Sequence, residues 1–128
     1  MEITIGMKGE ASTLVEREDT AAEVGSGDLL VYATPCMVAL MEGAAYESIA
    51  PFLAEGESSV GTKMDVTHLS ATPVGMNVRA ESVVTAVEGR KVTFSITAYD
   101  ESGEIGRATH ERVVIKTERF LEKTYDKL

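Results

Sequence analysis

A long apolar stretch, residues 35–53, constrains the fold of this chain more than any other feature. Four of its apolar residues recur at the spacing of a helix: Val38, Met41, Ala45 and Ile49. Thr34 is a good N-cap and Pro35 is tolerated at the first helical position, so the pattern predicts a helix over 35–53. A helix this apolar needs cover on most of its sides.

The second half of the chain, residues 58–116, is patterned as strands. Between Val92 and Ala98, apolar side chains alternate with Ser and Thr, which is typical of a strand with one buried face. Further strands are predicted within the first 17 residues and at three other ranges: 60–66, 76–87 and 105–115. The tail, 116–128, predicts a short charged helix.

This order of one strand, one helix and four strands predicts an α+β fold, with a meandering antiparallel sheet wrapped against the helix. The 128 residues fit a single domain, 1–128. One curled sheet of this size covers such a helix only in part. We therefore expect a homodimer.

Composition and charge exclude several classes of protein. Twelve Lys and Arg against 21 Asp and Glu give a net charge of −9, which argues against a nucleic-acid partner. The longest uncharged apolar run, Cys36 to Met41, falls far short of the roughly 20 residues of a membrane span. Cys36 is the only cysteine and the N-terminus lacks the pattern of a signal peptide, so we expect a cytoplasmic protein without disulfides.

Glu42 is the only charged residue between positions 36 and 45. It stands four residues after Val38 and three before Ala45, so it shares a helix face with apolar neighbours. A carboxylate buried there costs several kcal/mol unless it is paired. The alternative is that Glu42 lies on the solvent side of the helix.

His68 continues a strict period of two on its strand, after Val60, Thr62, Met64 and Val66. The period places it on the inward face. A core histidine bonded to the backbone is the structural alternative. If inward Glu42 and inward His68 meet, they form a general-base or nucleophile arrangement.

Two residues at the helix start also carry chemistry. The Thr34 hydroxyl lies where the helix dipole favours developing negative charge, although most such residues are plain structural caps. Cys36 in the same turn is a rival nucleophile, since thiol pKa values fall at helix N-termini. A buried, inert cysteine is the more common case.

The segment His110-Glu111-Arg112 in the last predicted strand is a weaker signal. Its charged residues fit a solvated edge, and Arg112 could instead reach a phosphate or pair with a carboxylate. The two histidines, His68 and His110, lack the ligand spacing of a metal site, so no metal is expected.

Three long motifs resemble a known family: A-T-P-C-M-V-A-L-M-E at 33–42, G-E-S-S-V-G-T-K-M-D-V-T-H-L-S-A-T-P-V-G at 56–75, and G-R-A-T-H-E-R-V-V-I at 106–115. They are similar to the hotdog-fold thioesterases related to the fluoroacetyl-CoA thioesterase, over roughly residues 10–120. The resemblance implies a hotdog fold, in which a long helix is wrapped by a curved antiparallel sheet. It also implies a homodimer with active sites near the interface.

Carried over position by position, the resemblance implies that Thr34, Glu42 and His68 are catalytic. It places Gly61 beside the thioester and matches Arg112 to an arginine of the family, so both are implied substrate-binding residues. It further implies hydrolysis of a small or medium acyl-CoA, with no cofactor beyond that substrate. Residues 24–33 contain no phenylalanine, unlike the lid of the fluoroacetyl-CoA enzyme, so a fluorinated substrate is not predicted.

In the expected reaction, Glu42 acts as the nucleophile or as the base for water, and His68 transfers protons. Thr34 donates a hydrogen bond to Glu42 or to the substrate. Backbone N–H groups at the helix start stabilise the oxyanion. The alternatives are a non-catalytic acyl-CoA-binding hotdog protein, an enoyl-CoA hydratase of the related hotdog group, and a purely structural dimerisation module. The candidates for binding the CoA phosphates are Lys63, Arg79, Arg90, Lys91 and Arg107.

Overall fold

Five strands form one antiparallel sheet that lies against the apolar helix in the computed structural model, which describes all 128 residues. The strands are β1 (Lys8–Leu14), β2 (Glu57–His68), β3 (Asn77–Glu88), β4 (Lys91–Asp100) and β5 (Gly103–Lys116). The helices are α1 (Ala21–Val24), α2 (Thr34–Ile49) and α3 (Thr117–Tyr125). The predicted α+β class and the sheet wrapped against one helix are confirmed. None of the helices is both long and apolar enough to cross a membrane.

The strand order is β1-β3-β4-β5-β2. Strands β3, β4 and β5 form the predicted meander, but β2 pairs with β5 and forms the edge of the sheet. The predicted meander is therefore wrong for β2. Side-chain alternation tells which face a strand buries, whereas its neighbours are set by the connections, and α2 carries the chain across the sheet from β1 to β2.

Helix α2 begins one residue earlier than predicted, and Ala33 is its N-cap. The prediction that Thr34 caps the helix is wrong, because Thr34 is the first helical residue and makes no capping bond. Regular α-helix ends at Ile49, and a 3-10 turn over Ala50–Phe52 contains Pro51. Proline has no N–H to donate to the preceding turn, which explains the early end.

The core lies between one side of α2 and the inner face of the sheet. Met37, Met41 and Ala44 of α2 are fully buried there. The sheet contributes alternate residues of its strands, among them Val84, Val92, Phe94, Ile96 and Val114. A stripe of α2 beside the β2 edge stays partly open, and it carries Val38, Glu42 and Tyr46. The sheet therefore leaves one side of the helix uncovered.

Candidate active site

A hydroxyl and an imidazole meet where α2 begins and β2 ends. The Oγ1 atom of Thr34 lies 2.7 Å from Nδ1 of His68. The Nε2 atom of His68 is buried and has no hydrogen-bond partner. Burial lowers the pKa of His68 below its ordinary value, so the ring is neutral at pH 7 and can accept a proton. The pair can move a proton between a substrate and the protein.

A second cluster surrounds Glu42, two turns further along α2. Its Oε2 atom lies 3.2 Å from Nη1 of Arg112, and its side chain is 42% exposed. The guanidinium is buried and fixed by Ser59, because Nε donates to the hydroxyl at 2.9 Å and Nη2 donates to the carbonyl at 3.0 Å. Burial lowers the pKa of Arg112, but guanidinium remains charged at any physiological pH. A rigid cation thus holds a carboxylate that solvent or a ligand can reach.

His110 contacts the guanidinium of Arg112 and helps to hold it in place. Its Nδ1 atom lies 2.7 Å from the carbonyl oxygen of Lys63, which can only accept, so Nδ1 carries the hydrogen of the neutral ring. Its Nε2 atom is then free to accept from Nη1 of Arg112 at 3.2 Å. Burial lowers the pKa of His110, which favours this neutral form. His110 is therefore a positioning residue for Arg112.

Gly61 lies against the carboxylate of Glu42. A Cβ atom added at position 61 would collide with Oε2 of Glu42 and would come within 3.2 Å of Cε1 of His110. The register of β2 against β5 shifts between Gly61 and Lys63, directly beside this contact. Only a residue without a side chain allows Glu42 to approach the strand this closely.

Within one chain, the two clusters stay apart. Gly61 and His68 lie seven residues apart on β2, which is roughly 23 Å along the strand. Thr34 and Glu42 lie eight residues apart on α2, roughly 12 Å along its axis. Glu42 and His68 therefore do not meet in a single chain, contrary to the sequence prediction, and the hydroxyl of Thr34 bonds His68 rather than Glu42.

The structure also bears on two other predictions for the start of α2, the oxyanion donors and the nucleophilic Cys36. The backbone N–H groups of Cys36 and Met37 both donate to the carbonyl of Ala33, and Pro35 has no N–H, so these residues offer no free donors for an oxyanion. Burial raises the pKa of Cys36, which keeps the thiol protonated and weakens the case for a rival nucleophile.

A hollow of about 320 Å³ adjoins the Thr34–His68 pair. It is lined in part by Val31, Tyr32 and Leu69. Leu29 and Leu30, which precede this wall in the chain, are more than half exposed. An apolar group of modest size fits the hollow next to the hydroxyl and the imidazole.

Sequence reasoning gave little weight to His110 and passed over Ser59. The side chain of His110 points inward, because Ala108, His110, Arg112 and Val114 are the buried alternate residues of β5. Ser59 is a buried residue of β2. That alternation was the signal that could have identified His110 as buried and Arg112 as paired. No group of three or more His, Cys, Asp or Glu residues is placed to hold a metal ion.

Comparison with known proteins places this geometry in context. Residues 15–118 match the family model described as fluoroacetyl-CoA-specific thioesterase. The fluoroacetyl-CoA thioesterase of Streptantibioticus cattleyicolor is 45% identical over 97 residues, which cover 76% of this chain and 70% of that protein.

Solved structures of this family and of related proteins resemble the chain over nearly its whole length. A structure of the fluoroacetyl-CoA thioesterase is 35% identical and superposes with a TM-score of 0.93, over 100% of this chain and 99% of that one. A variant of the fluoroacetyl-CoA-specific thioesterase has been solved in complex with fluoroacetate and CoA. A hot-dog-like protein from Thermanaerovibrio acidaminovorans is 25% identical with a TM-score of 0.89, over 98% of this chain and 93% of that one. The hotdog fold expected from the sequence motifs is confirmed.

Proposed function

Since the chain belongs to the family of fluoroacetyl-CoA-specific thioesterases and is a thioester hydrolase of the acyl-CoA class, we propose that it hydrolyses small or medium acyl-CoA thioesters with Thr34, Glu42 and His68. The observation that carries this proposal is the carboxylate of Glu42, which is accessible and is held by the buried guanidinium of Arg112 at 3.2 Å. A carboxylate oriented in this way can attack a thioester carbonyl or activate a water molecule. Both routes remain open.

Thr34 and His68 supply the proton steps in this proposal. A neutral imidazole at 2.7 Å from a hydroxyl accepts a proton from it, and the imidazolium that results passes this proton to the departing thiolate. Nε2 of His68 is buried, so Nδ1, which lies at the hydroxyl, is the ring atom that takes part in these steps. Gly61 lets the thioester lie against the strand beside Glu42, and Arg112 keeps the carboxylate oriented as charge develops.

We propose that a second copy of the chain completes the site, because one chain holds its two halves apart. Strand β2 is an edge strand of 12 residues whose outer hydrogen-bonding side is open. If two β2 strands pair antiparallel about a two-fold axis between Met64 and Asp65, Gly61 of one copy lies opposite His68 of the other. Each Glu42 then faces the Thr34–His68 pair of the second copy, and the dimer has two sites.

The same pairing accounts for the uncovered stripe of α2. Val38 and Tyr46 flank Glu42 on the side of the helix next to β2, and Tyr46 is 41% exposed. A second copy seated on the β2 edge would cover this stripe and remove water from the carboxylate. The homodimer predicted from the apolar helix is thus part of the proposal.

The acyl group is proposed to be short. The hollow beside Thr34 and His68 has a volume of about 320 Å³, and its walls include Val31 and Leu69. The fluoroacetyl-CoA-specific enzyme that was solved with fluoroacetate and CoA also handles a two-carbon acyl group. Without phenylalanine in residues 24–33, this chain is proposed to prefer unfluorinated acyl groups.

The test is thiol release from a panel of acyl-CoAs of increasing length. Glu42→Gln removes the ionised carboxylate and keeps its shape, so kcat should fall at least about 100-fold. Glu47→Gln is the matched control, because Glu47 lies on the same helix, is exposed and forms no ion pair. Full hydrolysis by the Glu42 variant would overturn the assignment. Tight binding without thiol release by the wild type would favour the acyl-CoA-binding alternative.

A further inference from the structure

The loop that follows β2, residues 69–75, is anchored to the sheet by one buried side-chain hydrogen bond. The hydroxyl of Thr72 is fully buried and donates to Oδ2 of Asp100 at 2.8 Å. This is the one hydrogen bond that a side chain of the loop makes. Asp100 is the last residue of β4, and β5 lies between β4 and β2 in the sheet. The bond therefore ties the loop to a strand that is not a neighbour of β2.

Asp100 is a rigid anchor for this bond. Its Oδ1 atom accepts from the backbone N–H of Ser102 at 2.8 Å and from that of Gly103 at 3.2 Å. The residue is buried and takes part in no ion pair. A buried carboxylate without a cation costs free energy unless hydrogen-bond donors surround it. Loss of the Thr72 hydroxyl would leave Oδ2 without a partner, so the structure resists movement of the loop at this point.

The same loop connects the two members of the Thr34–His68 pair. Thr72 lies four residues after His68, and its carbonyl accepts from the backbone N–H of Tyr32 at 2.9 Å. Tyr32 lies two residues before Thr34, whose hydroxyl is 2.7 Å from the imidazole. Two short chain segments and two hydrogen bonds therefore close a ring. A shift of Thr72 changes the distance between the hydroxyl and the imidazole.

The loop also helps to bury the imidazole. Leu69, Ser70 and Ala71 line the hollow beside His68. Burial lowers the pKa of His68, and it outweighs the backbone of Ser70, which raises that pKa. If the loop moved away, water would reach the ring and the pKa would rise toward its ordinary value.

We propose that Thr72 and Asp100 are positioning residues for the catalytic pair, because their bond holds the loop against Tyr32 and thereby keeps the imidazole of His68 at bonding distance from Thr34. The proposal rests on the thioesterase function proposed above. Neither Thr72 nor Asp100 lines the hollow, so both act through the loop. A catalytic group that is misplaced by about 1 Å can cost up to about 100-fold in rate.

The test separates the hydroxyl of Thr72 from its shape. Thr72→Val keeps the shape and removes the donor, whereas Thr72→Ser keeps the donor. Thr72→Val should lower kcat for the best acyl-CoA about 10-fold, and Thr72→Ser should stay within about twofold of the wild type. Val84→Ala is the control, because it lowers Tm through a buried residue of β3 that lies outside the loop and the hollow. If Thr72→Val does not fold, Thr72→Ala takes its place, since its smaller side chain leaves room for water beside Asp100.

A second measurement does not depend on turnover. NMR titration follows the ring of His68, one of only two histidines in the chain, and His68→Asn identifies its signals. The pKa of His68 should rise in Thr72→Val and stay lowered in Thr72→Ser and Val84→Ala. A bond that only stabilises the fold would change Tm and leave this pKa as it is.

Either wild-type kcat or an unchanged pKa of His68 in Thr72→Val would overturn the proposal. A loss of kcat that Thr72→Ser shares, or that Val84→Ala reproduces, would overturn it as well. If the wild type releases no thiol from any acyl-CoA, the proposed function fails, and the titration alone decides the positioning role. A higher pKa of His68 in Thr72→Val then supports that role, and an unchanged pKa overturns it.

Discussion

Gly61→Ala should separate the activity of this protein from its stability. The added Cβ atom would collide with Oε2 of Glu42, which is the end of a flexible side chain. The carboxylate can swing outward because its side chain is 42% exposed. His110 and Arg112 are buried and must give way only slightly, since the new atom would lie 3.2 Å from Cε1 of His110 and 3.4 Å from Nη1 of Arg112.

The free energy of unfolding should change little, because two small terms oppose each other. Loss of the Glu42–Arg112 ion pair costs about 1 kcal/mol, the upper end for a pair with one exposed partner, because the buried guanidinium keeps its bonds to Ser59 and His110. Replacement of glycine at a position without positive φ restricts the unfolded chain and gains about 0.5 kcal/mol. The net change should stay within about 1 kcal/mol, which is roughly 4 °C in Tm for a domain of this size. The displaced carboxylate should lower kcat by about 100-fold.

Thermal unfolding and thiol release are measured on the same preparations. Gly43→Ala is the control, because it adds a methyl group to α2 next to Glu42 and meets only the Cβ of Ala11 at 3.9 Å. That variant should keep its activity and gain up to about 1 kcal/mol in stability. Wild-type kcat in Gly61→Ala would refute the placement of Glu42 in the reaction. A kcat loss that merely follows a large drop in Tm would refute the separation of the two effects.

Three further predictions concern His68, His110 and Cys36, because burial shifts the pKa of each of these groups. His68 must be neutral to accept a proton, and burial lowers its pKa below the ordinary 6.5. As the pH is lowered, kcat/KM should therefore stay constant past pH 6.5 and decrease only at more acidic pH. An apparent pKa at or above 6.5 in the pH–rate profile would contradict this. The pKa of His110 is also lowered, so between that folded value and the ordinary 6.5 the unfolded chain binds more protons. Stability should therefore be lost as pH falls below 6.5, and urea unfolding of His110→Gln at pH 7.5 and 5.5 should show a smaller loss than the wild type. The raised pKa of Cys36 keeps its thiol protonated, so Cys36→Ala should retain kcat within about twofold in the thiol-release assay.

The sequence predicted the elements of the fold well because each has a strong local pattern. The alternation from Val92 to Ala98 corresponds to β4, and the apolar period from Val38 to Ile49 corresponds to α2. The place of β2 at the sheet edge could not be predicted in the same way. Its neighbour β5 lies 35 or more residues away in sequence, and no pattern within β2 selects that partner.

In the candidate site too, local patterns predicted which way side chains point but not which of them meet. The period of two placed His68 on the inward face correctly, but it carried no information on how far along the strand His68 lies from Glu42. The helical period placed Glu42 beside Val38, yet it did not reveal that this side of α2 stays open. To predict that Arg112 is the partner of Glu42, one would have to know the β2–β5 register, which sets Arg112 opposite Gly61.

Mixed dimers test the central claim most directly, because two chains are proposed to share each site. Glu42→Gln and His68→Asn are prepared separately, each inactive alone, then unfolded and refolded together in equal amounts. A shared site leaves each mixed dimer with one intact site, made of Glu42 from one chain and His68 from the other. The mixture should then recover about a quarter of wild-type thiol release, since random pairing makes half the dimers mixed and each of these has one site of two. Refolded mixtures that form dimers and remain inactive would contradict the shared site, because sites built within single chains would all carry a substitution.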